Sequence, residues 1–326
     1  MDSAKLDELV PHIEKTRFNI NPRRWTTMSI AKYIVEEKDI FHKIKTLCKN
    51  LDEESIELVF KIISRAKQGY LNPNYQVKLT KEEYSKHEDI STKFYPQIVE
   101  IQKDIYSYKG YFLPIRHFDI SVFYYEHSMD TFSPQTLAKI KEKDIIDAGA
   151  FIGDSAIIFE CKFTNKFIHS FEATANNYNL MLQTLKLNDS QRIIPIQKAL
   201  GAKEEVLEIS IGGSCSKFNA KAKTPEQSEK VEVITLDSYV KENNIEVGFI
   251  KVDIEGFEQE FLKGAIETIK TQKPAMLISI YHNGSDFFEI KPLIESWNLG
   301  YTFNIQKPVD WSVSVETALY CEILEK

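Results

Sequence analysis

The sequence predicts an α/β fold: a mostly parallel sheet with helices on both faces, behind a helical N-terminal region. Three observations carry it. The stretch Asp144-Ile-Ile-Asp-Ala-Gly-Ala-Phe-Ile-Gly-Asp-Ser155 reads as a strand, a glycine loop and a helix start. Lys166-Phe-Ile-His-Ser-Phe-Glu172 is a second strand whose last residue is a carboxylate. Ile250-Lys-Val-Asp-Ile-Glu-Gly-Phe-Glu258 is a third strand running into an acidic turn. Short apolar strands alternating with amphipathic helices are the pattern of parallel sheets covered on both faces.

At 326 residues the chain has room for a full α/β domain and a smaller accessory region. Its net charge of -7 is uneven: residues 1–100 hold 17 basic and 16 acidic side chains, residues 101–326 hold 24 and 32. An acidic catalytic half argues against a nucleic-acid partner, whose binding is driven by counterion release from phosphates. No apolar run approaches the ~18 residues of a membrane span, and the first residues lack the basic start and apolar stretch of a signal peptide. Cys48, Cys161, Cys215 and Cys321 are far apart without C-x-x-C spacing, so reduced thiols and a cytoplasmic location are expected.

In chain order, residues 1–70 read as helices, notably Ile30 to Cys48 and Glu53 to Ala66, and the boundary of this accessory region falls near residue 105. Arg23-Arg24-Trp25 reads as a solvated basic turn beside a packed tryptophan, with a phosphate or stacking site as the alternative. Tyr111 to Ile115 and Ile120 to Tyr125 look like two strands of a hairpin around Arg116-His-Phe-Asp119, leading into a 106–326 main domain. After the Asp144 strand, Asp154 or Ser155 would cap the next helix. A helix from Asn176 to Asn188 follows, then a strand Ile193 to Ile196, with small residues at Ala199 leaving room for an adenine ring. Val206 to Ile211 and Val231 to Thr235 look like paired strands, joined by a loop around Gly212 to Ser216 that reads as a mobile connection or a cover for the substrate. One helix through Phe261 and Ile269, a strand Ala275 to Tyr281, a helix Asp286 to Trp297 and two closing strands complete the sheet.

The glycine loop narrows the ligand. A dinucleotide fingerprint needs a second glycine where Phe151 stands, and no Gly-Lys-Ser or Gly-Lys-Thr occurs. Asp147 at the strand end would repel a phosphate. An acidic, glycine-turned loop suits a phosphate-free nucleoside carrying positive charge, such as S-adenosylmethionine (AdoMet), and Glu172, 25 residues after Asp147, is placed to accept from both ribose hydroxyls. Asp253 and Glu255 fall in the same crevice if their strand lies beside the first, whereas Glu258 reads as a helix-capping carboxylate. Lys251 inside a strand needs a partner, with Asp147 or Asp253 as candidates. His282, at the end of the strand beginning at Ala275, is placed to take a proton from a substrate hydroxyl. A divalent metal on Asp253, Glu255 and His282 or Asn283 ranks below a metal-free scheme.

These residues, together with Leu236-Asp-Ser-Tyr239 and Gly264-Ala265, resemble the FkbM family of AdoMet-dependent methyltransferases over roughly Asp144 to Ile305. The resemblance implies a Rossmann-like class I methyltransferase fold of seven strands with the last antiparallel, and O-methylation of sugars or other small hydroxylated molecules. Carried over by position, Asp147, Gly149, Gly153 and Ser155 hold the methionine part, with Ala150 and Asp154 in the same loop, Glu172 holds the ribose, and Asp253 and Glu255 face the transferred methyl. Phe151 in place of the commoner Asn, and Ala173-Thr174 in place of Pro-Asn, depart from the family pattern. The partner expected is a small-molecule or glycan acceptor, with homodimerisation through the N-terminal region as a further expectation. The competing readings are a non-catalytic cofactor-binding or scaffolding protein and a nicotinamide-dependent reductase, the latter disfavoured by Phe151.

Overall fold

The computed structural model describes residues 20–210, 217–218 and 228–324. The start of the N-terminal region and the Gly212 to Ser216 loop lie outside the described residues.

Three helices come first: α1 (Trp25–Glu36), α2 (Ile40–Cys48) and α3 (Glu53–Leu71), so the single helix expected from Ile30 to Cys48 is two. A fourth, α4 (Lys81–Asp89), begins on a capping box between Thr80 and Glu83. Then β1 (Val99–Gln102), β2 (Ile105–Tyr108) and β3 (Tyr111–Leu113) form a small antiparallel sheet. The expected strand at Ile120 is instead a short helix, α5 (Ile120–Phe123). Asp119 starts it by accepting from Ser121 N at 2.7 Å, a local bond that competes with strand pairing.

The main sheet opens after α6 (Pro134–Lys141) with β4 (Asp144–Ala148), followed by α7 (Asp154–Lys162), β5 (Ile168–Phe171), α8 (Ala175–Leu187) and β6 (Ile193–Ile196). The cap of α7 is Gly153 with φ 80°, and neither Asp154 nor Ser155 caps it through a side chain. A flanking sheet holds β7 (Ala199–Leu200), β8 (Glu205–Ser210), β9 (Lys217–Phe218) and β10 (Ser228–Ile234), with β8 and β10 paired as expected. The chain returns to the main sheet through α9 (Leu236–Asn243), β11 (Val247–Val252), α10 (Glu258–Gly264), α11 (Ile266–Gln272), β12 (Ala275–Ser279), α12 (Gly284–Ser296), β13 (Thr302–Gln306) and β14 (Ala318–Glu322). The expected single helix through Phe261 and Ile269 breaks at Gly264–Ala265 into α10 and α11.

Strand order is β13-β14-β12-β11-β4-β5-β6, with β14 antiparallel to both neighbours and the central strands parallel. Chain order reverses between β4 and β11, so their carboxyl ends flank the crevice where ligands of doubly wound sheets collect. The N-terminal helices belong to the same core: Ile30, Ile34, Val59 and Ile62 share one buried cluster with Phe287, Phe288 and Ile305. No helix among the described residues is long and apolar enough to cross a membrane.

Candidate active site

At the β4–β5 end, register places Lys251 of β11 directly beside Asp147 of β4. Their charged atoms are 3.1 Å apart, and Lys251 Nζ also donates to Gly149 O at 2.6 Å. Burial disfavours the ammonium, but Asp147, Asp253 and Asp154 together hold the Lys251 pKa above its usual value. Asp147 is wholly buried, and its charge is met by a lysine of the protein itself. Gly149 has φ 79°, and a Cβ there would lie 1.8 Å from Asp253 O. Its freedom is needed for the β4 and β11 loops to close on each other, more than for approach to a ligand.

Glu172 is fixed from both sides of the crevice. One oxygen accepts from Thr174 N (2.8 Å) and Thr174 Oγ1 (2.6 Å), the other from Phe151 N (3.1 Å). Of the departures from the family pattern, Thr174 serves this carboxylate with its side chain, whereas the Phe151 bond comes from the backbone. Phe151 sits at φ 49°, an uncommon backbone for a bulky residue, and packs edge-on to His117 with centroids 5.0 Å apart. Burial raises the Glu172 pKa, opposed by these donors. Burial also lifts Asp154 to about 6, with His117 and Lys251 opposing. Ser155 Oγ lies 2.9 Å from His127 Nε2, whose pKa burial pushes down to about 3, so this imidazole is neutral.

The β11–β12 end is built on His282. Its Nδ1 is 2.9 Å from Glu258 Oε1, and its Nε2 is 3.3 Å from Asp253 and 3.7 Å from Glu255. Burial opposes a charge here, but Glu258, Asp253 and Glu255 outweigh it and raise the pKa to about 10. These carboxylates favour the protonated imidazole, which weighs against the general-base role expected from its position. Glu258 is the first residue of α10 but caps it with no side-chain bond; it accepts instead from Ile254 N at 3.0 Å in the preceding turn and faces the His282 ring as well. Burial raises the Asp253 pKa above that of an ordinary carboxylate, with His282 and Lys251 opposing. The Tyr281 hydroxyl donates towards Asp253 at 3.4 Å and lies 3.2 Å from Glu316 Oε1.

These two ends open into one cavity of about 420 Å³, within the ~300–1,000 Å³ range of small-molecule sites.

Residues 147–303 match the family model described as methyltransferase FkbM domain. The chain carries a methyltransferase FkbM domain. Over 90% of its length it is similar to the crystal structure of methyltransferase FkbM from Methylobacillus flagellatus KT, at 20% identity and a TM-score of 0.57, and it spans 60% of that chain. An rRNA methylase from Streptococcus thermophilus aligns over 59% of this chain and 93% of its own at 12% identity (TM-score 0.33). M. jannaschii TYW2 in complex with AdoMet aligns over 69% and 90% at 14% identity (TM-score 0.32). Among curated proteins, no sequence matches the chain.

Within the FkbM domain, Gly149, Asp154, Ser155, Glu172, Ala199, Asp253 and Glu255 line the cavity. Asp147, Ala150, Gly153 and His282 are not among the residues lining it. Asn283 is engaged elsewhere, donating to Gly256 O (3.2 Å) and Asp286 (2.9 Å). Part of the wall comes from outside the domain, including Arg24, Trp25, His117, Asp119, His127 and Glu316. Arg24 and Trp25 carried a signal in the sequence, read as a solvated turn beside a packed ring with a phosphate or stacking site as the alternative, and His117 and Asp119 lie in the aromatic stretch that was a candidate pocket lining. Trp25 is in fact 40% exposed and stacks on His282 with centroids 6.3 Å apart and planes at 18°.

Proposed function

We propose that this protein is an AdoMet-dependent methyltransferase acting on a hydroxyl oxygen of a small acceptor such as a sugar, in the cytosol. The observation that carries the reading is one crevice holding a pre-set Glu172 carboxylate on one side and Asp253 with Glu255 on the other. In the sheet, β5 and β11 both neighbour β4, so the two sites stand about 10 Å apart by strand spacing.

The residues fit an adenosyl compound without phosphate. Glu172 carries three protein donors on its two oxygens, which hold the carboxylate in place to accept from a ribose hydroxyl. Asp154, Asp253 and Glu255 in the same wall favour a cationic ligand; of the cations there, Lys251 is paired with Asp147 and Lys198 with Glu232. AdoMet, when bound, supplies a methyl group on a sulfonium. Ala199 and Leu200 border the space beside Glu172 and admit a flat base. Asp253 accepts the proton of the acceptor hydroxyl, for which its raised pKa makes it a better base than an exposed carboxylate. His282, clamped by Glu258, keeps Asp253 and Glu255 side by side, which charge repulsion would otherwise separate. Alignment of the nucleophile with the methyl is the larger part of the task.

Asp253, Glu258 and His282 offer atoms within 4.8 Å of one another, a set that differs from the expected one in having Glu258. Both ring nitrogens of His282 face carboxylates, an arrangement that suits a shared proton and a metal ion alike; the scheme has no step through a metal, and chelation tests that choice. The test is incubation with AdoMet and a panel of glycans and small alcohols. Product mass is expected to rise by one methylene on a hydroxylated acceptor, with activity retained after chelation. Binding of AdoMet with no transfer to any hydroxyl would support the scaffolding reading instead.

A further inference from the structure

Accepting the methyl-transfer reading, we propose that Arg24 and Trp25 form an acceptor subsite for an acidic, hydroxylated ring compound. Trp25 stacks on the ring, and Arg24 pairs with a carboxylate or phosphate that the ring carries.

Placement comes first. In sheet order β5, β4, β11 and β12 are consecutive, so the end of β12 lies about 14 Å, three strand spacings, from the end of β5 where Glu172 holds the nucleoside. Trp25 stacks on His282, just beyond β12, and so marks the end of the cavity away from the cofactor. Asp253 and Glu255, beside His282, lie between the two ends.

The subsite is held in place. Thr27 Oγ1 bonds Ser314 Oγ at 2.9 Å, and Ser29 Oγ accepts from Gly284 N at 3.1 Å, which pins the first turn of α1 to the main domain. The two arginines divide their roles. Arg23 binds Gly69 O and Asn72 O, both at 3.2 Å, and closes the chain on itself. Arg24 is exposed, lines the cavity, and makes no ion pair among the described residues. A surface arginine at a pocket mouth, with no carboxylate paired to it among the described residues, suits bidentate recognition of carboxylate or phosphate.

The ligand class follows from the charge gradient. Asp119, Asp253, Glu255 and Glu316 give the interior carboxyl groups that hydrogen-bond hydroxyls, and its lysine, Lys251, is already paired with Asp147. Trp25 offers a large apolar surface for a flat ring face. An acidic sugar then has one favourable orientation: hydroxyls inward towards Asp253, ring on Trp25, anion outward on Arg24. That orientation would select which hydroxyl meets the methyl.

The experiment titrates glucuronate, glucose 6-phosphate and glucose into full-length protein saturated with S-adenosylhomocysteine. The acidic sugars are expected to bind about tenfold or more tighter than glucose. The better of the two identifies carboxylate or phosphate as the anion. Arg24→Gln should bring them within about threefold of glucose, and Trp25→Leu should weaken all three, with the S-adenosylhomocysteine affinity unchanged in both variants. Equal affinities, no binding of any sugar, or an acid preference that survives Arg24→Gln and Arg24→Glu would overturn the subsite. Failure of S-adenosylhomocysteine to bind the wild type would instead overturn the methyl-transfer reading, so the two failures are distinct.

Discussion

At the β4–β5 end of the crevice each carboxylate has donors of its own, whereas at the β11–β12 end three carboxylates share one imidazolium. Asp147 has Lys251, and Glu172 has Thr174 and the Phe151 amide. Glu258, Asp253 and Glu255 crowd the two nitrogens of His282. The first arrangement is a finished cradle, shaped before any ligand arrives. The second leaves acceptors and a raised pKa facing the cavity, which is what a site that moves a proton needs. On the proposed reading, binding and reaction are divided between the two sides of one strand, β4.

Breaking each side should give a different signature. The largest effect is expected for Asp253→Asn, with kcat lowered about 10²–10⁴-fold and S-adenosylhomocysteine affinity changed little, measured by turnover and calorimetry. A parallel loss of cofactor affinity would place Asp253 on the binding side. Lys251→Met strands the buried Asp147 charge and should cost about 3–5 kcal/mol, read by denaturant unfolding. A stability near wild type would show that Asp147 is not carried by that pair. Glu172→Gln keeps the shape of the cradle and loses its charge, and should weaken S-adenosylhomocysteine by ~10–100-fold with no matching fall in kcat at saturation.

The smallest effect concerns pH. The folded-state pKa of His282 lies near 10, above its unfolded value of 6.5, so its contribution is complete below pH 6.5 and is lost as pH rises through 10. Melting temperature should therefore fall between pH 7 and 10 more steeply in the wild type than in His282→Gln. Equal slopes would show that the imidazolium is not what balances the three carboxylates.

The cradle was legible in the sequence because its parts are local: a strand, a glycine turn and a carboxylate 25 residues on. Strand order followed from the same pattern. The reacting side was half legible. Asp253 and Glu255 announced themselves beside a glycine, but the charge state of His282 depends on Glu258, which folds back from α10 and was read as a cap alone. Ile120 to Phe123 looked like a strand because its apolar run outweighed the weaker signal of Asp119 capping. Arg24 and Glu316 reach the cavity from opposite ends of the chain, a closeness that only tertiary packing of α1 on α12 creates.

The most direct test of the central claim is calorimetric titration of the wild-type protein with AdoMet and, separately, with NAD. A crevice lined by Asp154, Glu172, Asp253 and Glu255 should bind the phosphate-free sulfonium and give no heat with the dinucleotide. Binding of NAD, or silence towards AdoMet, would contradict the account.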